Sequence, residues 1–416
     1  MSETPRVLRP NREQLELRPT DLESLLPPDH RARVVWDFVC GLDLSAWYES
    51  IRSVEGEAGR PAIDPAILLS LWIYATTEGV GSARAVARLC EQHDAYRWIC
   101  GGVSVSHRTL SGFRVMHEAK LDGLLTQSVV TLIDAGLVDL DRIAQDGIRV
   151  RASAGAASFR RRKRLRDLER AVRGRIEKLR RELDDDPAAT SRRVAAAREK
   201  AVRDRLSRVR RALAELAKRQ AEKSSEDEKE AVRASTTDPE SRVMKMADGG
   251  FRPAYNVQLA ADVGSQVVVA VEVADAGSDI QQLGPMRQKV EERYGARSRE
   301  WLVDGGFVSL KEIEAAESAG DRVYAPPMTP RNSERDPYKP LPGDSEAIAR
   351  WRRRMGRESA KRRYKDRGST IECVNAQKRN RGLWQFGVRG RMKVRCVVLI
   401  QALTQNMMSG LRLREA

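Results

Sequence analysis

The chain has 416 residues, of which 41% are hydrophobic and 32% charged, and its length predicts about three domains rather than one compact core. Lys and Arg number 75 against 59 Asp and Glu, so the formal net charge is +16. This excess favours a polyanionic partner, with nucleic acid first and an anionic membrane surface second. We expect no membrane insertion, because the apolar stretch 66–77 is much shorter than the roughly 18 to 20 residues of a spanning helix.

Cysteine and histidine usage argues against a zinc site. The five cysteines are odd in number and form no CxxC spacing, which is typical of reduced cysteines in a cytoplasmic protein. All four histidines precede residue 118, so few remain for a histidine-based metal site. The first residues lack the apolar core of a secretory signal. We therefore expect a cytoplasmic protein.

The first third of the sequence has a helical period. Residues 1–27 are polar and predict an N-terminal arm, and residues 28–139 predict an all-α, DNA-binding domain. Within it, 82–92 and 106–117 resemble a helix-turn-helix pair that would turn Arg108 and Arg114 toward DNA. Plain packing within a helical bundle is at least as well supported.

A strongly basic segment follows a short strand signal. Around Asp146-Gly147, apolar positions predict a strand followed by a turn. Between residues 160 and 233 there are 26 Lys and Arg against 15 Asp and Glu, and apolar residues recur every three or four positions. We predict a basic helical hairpin, a coiled-coil insertion at 158–235. It would serve as a dimerisation or DNA-embracing arm, or simply be a solvated pair of charged helices.

The strand signals resume in the last third. Strands are predicted at 253–262, 266–273 and 301–304, with helices after them. Residues 350–395 hold 17 Lys and Arg against three acids, a concentration suited to nucleic acid. Trp384 and Phe386 could stack on bases, although burial beneath the basic helix is the favoured interpretation. The fold class is therefore α+β and multidomain.

Three carboxylates could carry chemistry. Asp146 and Asp304 follow apolar runs and Glu372 lies near the start of a helix, so together they could hold two Mg²⁺ ions against a phosphodiester. The Asp-Gly sequences are also ordinary turn signals, and Glu372 by itself would be a solvated helix residue. Three further acids cannot be dismissed from spacing alone: Asp262, Asp275 and Asp279.

Several blocks of the sequence resemble a known family. Residues 145–153 (QDGIRVRAS) and 303–307 (VDGGF) are similar to the first two catalytic blocks of bacterial insertion-sequence transposases of the DDE class, in the insertion sequence eleven-eighty-two group. The third block is represented by Tyr364, Arg367, Glu372 and the segment 389–395 (RGRMKVR). The resemblance covers most of the chain from about residue 61.

This resemblance implies a fold and a site. It implies an RNase H-like α/β domain, a mixed sheet flanked by helices, at 140–157 and 236–416, with the helical hairpin inserted between the two parts. Asp146, Asp304 and Glu372 would be the catalytic, metal-binding triad for Mg²⁺, or Mn²⁺ as a substitute. Where the family often has Lys, this chain has Arg379 with Lys378 beside it. The implied DNA contacts are Tyr364, Arg367, Lys378, Arg379, Arg389, Arg391 and Lys393.

The implied activity is transposition. The enzyme would cleave the ends of its insertion sequence and transfer the 3′ ends to target DNA, acting as a homodimer on the inverted repeats. It would be found in the bacterial cytoplasm, at the nucleoid when bound to DNA. Two alternatives stay open: a catalytically silent DNA-binding protein derived from a transposase, and an RNase H-like nuclease without strand transfer. A coiled-coil scaffold would explain only the hairpin.

Overall fold

The computed structural model describes residues 21–54, 60–185, 191–328 and 335–415. Most of the predicted arm, residues 1–20, lies outside these ranges, and the described remainder contains a 3-10 turn at Glu23–Leu25. The protein is mixed α/β, as the sequence predicts, with helices first and a mixed sheet after them.

Helices make up the region before residue 139. Their boundaries follow local capping: Asp64, Ser82 and Ser106 each accept a hydrogen bond from a backbone N–H in the first turn of the helix that follows. A side-chain oxygen at this position satisfies an N–H that has no partner within the helix. The helices are α1 (Arg31–Cys40), α2 (Ser45–Tyr48), α3 (Pro65–Thr77), α4 (Ala83–Gln92), α5 (Asp94–Cys100), α6 (His107–Met116) and α7 (Glu118–Asp134).

A six-stranded mixed sheet forms the second half of the fold. Its order is β4-β5-β1-β7-β8, and β6 also pairs with β5. β5 is antiparallel to β1, β4 and β6, whereas β7 is parallel to both β1 and β8. The eight strands, including a separate β2–β3 pair, are β1 (Arg142–Arg151), β2 (Phe159–Arg160), β3 (Ala234–Ser235), β4 (Arg242–Lys245), β5 (Phe251–Asp262), β6 (Val268–Ala274), β7 (Glu300–Leu302) and β8 (Arg322–Tyr324).

The predicted turn at Asp146-Gly147 is wrong. Strand β1 runs through both residues, with Asp146 opposite Leu259 and Gly147 opposite Gln258. Gly147 is required here by close approach, because a Cβ atom would overlap Asp279 Oδ1 and lie 2.5 Å from Gln258 Nε2. A glycine within a strand often marks such a contact rather than a reversal of the chain.

The C-terminal helices connect the two halves. α16 (Arg391–Glu415) packs against α3, α6 and α7 and also against β6. One hydrophobic core therefore runs from the N-terminal helices into the sheet. The remaining helices of this half are α11 (Leu283–Tyr294), α12 (Leu310–Ser318), α13 (Glu346–Met355), α14 (Glu358–Arg367), a π-helical turn (Gly368–Glu372), α15 (Cys373–Asn380) and α16 (Arg391–Glu415).

The basic segment forms two long helices that pack against each other, α8 (Arg162–Asp185) and α9 (Arg192–Ala221), followed by the short α10 (Glu226–Ala231). Residues 186–190 between them lie outside the described ranges. The β2–β3 ladder joins the two ends of the segment at its base. Arg219 anchors α9 there, donating to the carbonyls of Pro239 at 2.8 Å and Ser241 at 3.0 Å.

Candidate active site

The first carboxylate lies in the middle of a central strand. Asp146 Oδ2 accepts a hydrogen bond from Asn375 Nδ2 at 2.9 Å, and Asp146 Oδ1 accepts one from the N–H of Gly147 at 2.9 Å. Its side chain is 17% exposed. At this position β1 is paired with β5, with Asp146 opposite Leu259, and its pairing with β7 ends two residues earlier at Ala144.

The second carboxylate reaches the first through strand register. β7 is parallel to β1, with Leu302 paired to Ala144, and Asp304 and Asp146 each follow two residues later. Side chains two residues apart on a strand share a face, so this register brings the two carboxylates together. Asp304 Oδ1 also accepts from the N–H of Gly306 at 2.7 Å and so caps a 3-10 turn.

The third carboxylate is presented by a break in helical regularity. Glu372 ends the π-helical turn between α14 and α15. Such turns interrupt helices rarely and are frequent at functional sites. The sequence predicts Glu372 near the start of a helix, but α14, the π turn and α15 follow one another without a break, so Glu372 lies inside a helical run from Glu358 to Asn380.

Arg367 joins the three carboxylates. Its Nη2 lies 3.1 Å from Asp146 Oδ1 and 3.9 Å from Asp304 Oδ2, and its Nη1 lies 2.6 Å from Glu372 Oε1. The arginine side chain is only 9% exposed. One buried guanidinium therefore neutralises part of the charge of all three acids.

Burial dominates the electrostatics of the cluster. It raises the pKa of Asp146 to about 6; Arg367 opposes this rise and the Asp304 carboxylate adds to it. Burial also raises the pKa of Tyr364, again against the effect of Arg367. Burial alone would lower the pKa of Arg367, but the carboxylates around it outweigh that and raise it. The guanidinium is thus charged at any ordinary pH.

The donor set suits a hard cation, but its present arrangement is closed. Carboxylate oxygens without His or Cys are the ligands that Mg²⁺ prefers. Within the described ranges, however, no group of three or more His, Cys, Asp or Glu side chains is arranged to hold a metal ion. The Arg367 guanidinium contacts all three carboxylates and provides positive charge at this position.

Besides Arg367, two of the predicted DNA contacts are interior residues. Lys378 is fully buried, and its Nζ donates to the carbonyl of Gln401 at 3.3 Å. Burial lowers its pKa to about 7, and Arg381 adds to the effect. Arg114 is also buried: it donates to the carbonyl of Gly81 at 2.6 Å and lies over the ring of Trp72. For Arg114, bundle packing is therefore the correct interpretation.

The other predicted contacts are at least partly accessible. Arg108, Arg389 and Lys393 are exposed, and Tyr364 and Arg379 are half-buried. Arg391 is also half-buried and forms an ion pair with Asp275 at 2.9 Å. The structure brings Tyr364 and Arg367 to the carboxylates, and Arg379 lies about one helical turn along α15 from Asn375, which contacts Asp146.

The three alternative acids have other partners. Asp262 accepts hydrogen bonds from the N–H and hydroxyl of Ser265, in the turn between β5 and β6. Asp275 pairs with basic side chains, among them Lys218. Asp279 accepts hydrogen bonds from Asn256 at 2.8 Å and Gln258 at 2.7 Å. None of the three contacts Arg367 as the triad does.

Sequence reasoning missed Asn375. It lies three residues after Glu372, a spacing that places both side chains on one face of a helix. That spacing is the sequence signal from which Asn375 could have been identified as a site residue. The expected burial of Trp384 is wrong: its side chain is 61% exposed, whereas that of Phe386 is 2% exposed. None of the described helices is long and apolar enough to cross a membrane.

The fold is mixed α/β, and it brings three acidic side chains to one arginine. In a comparison with known protein families, residues 20–116 match the family described as "Transposase domain (DUF772)". The match spans α1 to α6 and supports a transposase family, and with it a DNA-processing enzyme that binds DNA. No curated protein and no solved structure matches the chain.

Proposed function

We propose that this chain is a DDE-class insertion-sequence transposase of the eleven-eighty-two group, which cleaves the ends of its element and transfers the 3′ ends to target DNA. The main observation in support of the proposal is that Asp146, Asp304 and Glu372 all lie within ion-pair distance of one guanidinium, that of Arg367. These acids are far apart in the sequence, and the sheet register and the π turn bring them together.

The sheet supports an RNase H-like catalytic domain. A mixed sheet with helices packed against it is the arrangement that the resemblance implies. The acidic residues lie on β1 and just after β7, two adjacent parallel strands at the centre of the sheet. Sites of this kind lie at the carboxyl ends of parallel strands.

The three acids would hold Mg²⁺, or Mn²⁺ in its place. Bound magnesium would activate the attacking oxygen and stabilise the leaving oxygen of a phosphodiester. Asn375 keeps one oxygen of Asp146 oriented by its hydrogen bond. Arg367 would exchange its carboxylate partners for a phosphate, which a planar guanidinium binds through two parallel hydrogen bonds. Tyr364 would contact the same phosphate region.

DNA is the proposed partner in two forms, the inverted repeats at the element ends and the target. The basic residues at 350–395 and in the α8–α9 arm would bind the phosphate backbone. The arm would also serve a homodimer on DNA, because its apolar residues recur at heptad spacing. We place the protein in the bacterial cytoplasm, associated with the nucleoid when bound to DNA.

A cleavage and joining assay tests the proposal. Purified protein is incubated with Mg²⁺ and a duplex of the inverted repeat that flanks its gene. Joined products support the transposase, cleavage without joining supports an RNase H-like nuclease, and binding alone supports a catalytically silent protein. Asp146→Asn should abolish both products and retain DNA binding. Asp366→Asn is a matched control, since Asp366 neighbours Arg367 in sequence but pairs with Arg142 at 2.7 Å.

A further inference from the structure

We infer that Trp384 and Arg379 form a stacking platform for an unpaired nucleobase beside the carboxylate cluster. The inference rests on the proposed function, because it takes DNA as the substrate. It goes beyond that function by assigning a site for a base, whereas the carboxylates and Arg367 act only on the backbone.

The indole of Trp384 is presented by an anchored backbone. The carbonyl of Trp384 accepts a hydrogen bond from the N–H of Arg151 at 3.2 Å, and the N–H of Phe386 donates to the carbonyl of Arg151 at 2.9 Å. Phe386 is buried and packs edge-on against Tyr255, with 6.0 Å between ring centroids. The exposed ring therefore projects from a segment that is fixed to the end of β1.

Arg379 links this ring to the carboxylates. It lies four residues after Asn375 on α15, so both side chains are on one face of the helix, about 6 Å apart along its axis. Asn375 donates to Asp146. The guanidinium carbon of Arg379 lies 5.8 Å from the centroid of the Trp384 ring. The platform thus begins about one helical turn from the candidate active site.

The surroundings of the ring favour a nucleic-acid strand over a protein partner. Arg151, whose backbone pairs with Trp384 and Phe386, and Arg389 are exposed, and neither forms an ion pair with a residue that the structure describes. Arg389 lies alongside the end of β1, donating to the carbonyl of Ser153 at 3.0 Å. An aromatic ring flanked by cations binds base and backbone together, and stacking accepts any base because every base has a π face.

The test compares two DNA probes, a blunt element-end duplex and the same duplex with a short thymine overhang that carries 2-aminopurine. Wild-type protein should bind the overhang probe about tenfold more tightly than the blunt one and quench its fluorescence. Trp384→Ala should lose this preference and leave the affinity for blunt duplex unchanged, and Trp384→Phe should retain part of it. Tyr48→Ala, a change at another exposed aromatic residue, should keep the wild-type ratio.

The outcomes separate this inference from the proposed function. An equal overhang preference in wild type and Trp384→Ala overturns the platform, as does a wild-type protein without any preference, even if that protein cleaves its element ends. A wild-type protein that binds neither probe overturns both. Loss of a DNA-free dimer in Trp384→Ala, measured by light scattering, would assign the ring to a protein contact instead. Because Trp384 is exposed, the thermal unfolding of its variants should match that of wild type.

Discussion

Arg367 and Glu372 are five residues apart, yet Arg367 Nη1 lies 2.6 Å from Glu372 Oε1 because the helix between them makes a π turn. In a regular α-helix, a residue five positions on lies about 140° away around the axis. A π turn bonds residue i to residue i+5 and brings the two onto one face. The ion pair and the third carboxylate therefore both depend on this one turn.

Lengthening the π turn should abolish the proposed cleavage. Inserting one alanine after Ser369 would make Glu372 the sixth residue after Arg367 and turn it by about 100° relative to Arg367. We expect cleavage of element-end DNA to fall by roughly 100-fold or more, because small misplacements of catalytic groups are costly. Ser369→Ala keeps the length of the turn and should keep most of the activity. Wild-type cleavage by the insertion variant would show that the turn does not position Glu372.

Removing the arginine should open the site to metal. With Arg367→Gln, the three carboxylates lose the cation between them. Titration calorimetry without DNA should show Mn²⁺ binding about tenfold more tightly than to wild type, since an adjacent charge typically shifts such equilibria by this amount. Arg142→Gln removes an arginine that pairs with Asp366 and should leave Mn²⁺ affinity unchanged. Equal Mn²⁺ affinities in wild type and Arg367→Gln would mean that the guanidinium does not compete with metal.

Gly147 should tolerate no side chain. In Gly147→Ala the new methyl group would meet Asp279, Gln258 and Asn256, which are fixed by hydrogen bonds to one another. Overpacking of this kind lowers the free energy of unfolding by about 1–3 kcal/mol, measurable by urea denaturation. Gly155→Ala is the control, because an added Cβ there has no described atom within 4 Å. Equal losses in the two variants would argue against the close approach at Gly147.

Lys378 should make stability depend on pH. Burial, together with the nearby charge of Arg381, lowers the pKa of its amine from the ordinary 10.5 to about 7. Between these two values the unfolded chain binds the proton and the folded chain does not, so the free energy of unfolding rises with pH across that window. Lys378→Met should be more stable than wild type by on the order of 3 kcal/mol at pH 7, and the difference should shrink toward pH 10.

Thermal or urea unfolding at several pH values measures this difference. Lys393→Met removes an exposed lysine and should show no comparable change in pH dependence. If the gap between Lys378→Met and wild type stays constant from pH 7 to pH 10, then the buried amine does not titrate in this window.

Elements with local signals were predictable. Asp64, Ser82 and Ser106 start helices through hydrogen bonds to residues two or three positions away. The strands at 253–262 and 266–273 follow from apolar and β-branched runs joined by a short turn. These features depend on neighbours in the chain, so they can be read from the residues in order.

Asp146, Asp304 and Glu372 were identified as candidates from residue type, position and resemblance. The sequence gives no distances between these residues. It therefore does not distinguish them from Asp262, Asp275 and Asp279 as candidate site residues. Only the parallel register of β1 and β7, together with the π turn, separates the two groups of acids.

By itself, then, the sequence determined the helices, most of the strands, the basic arm and the chemistry of the candidate acids, because these depend on residue type and on contacts between chain neighbours. Tertiary structure alone decided that Asp146-Gly147 continues a strand, that Lys378 and Arg114 are interior, that Trp384 is exposed, and that Arg367 lies among three carboxylates. The physical reason is that burial and ion pairing are set by residues tens or hundreds of positions apart, which only the folded chain brings into contact.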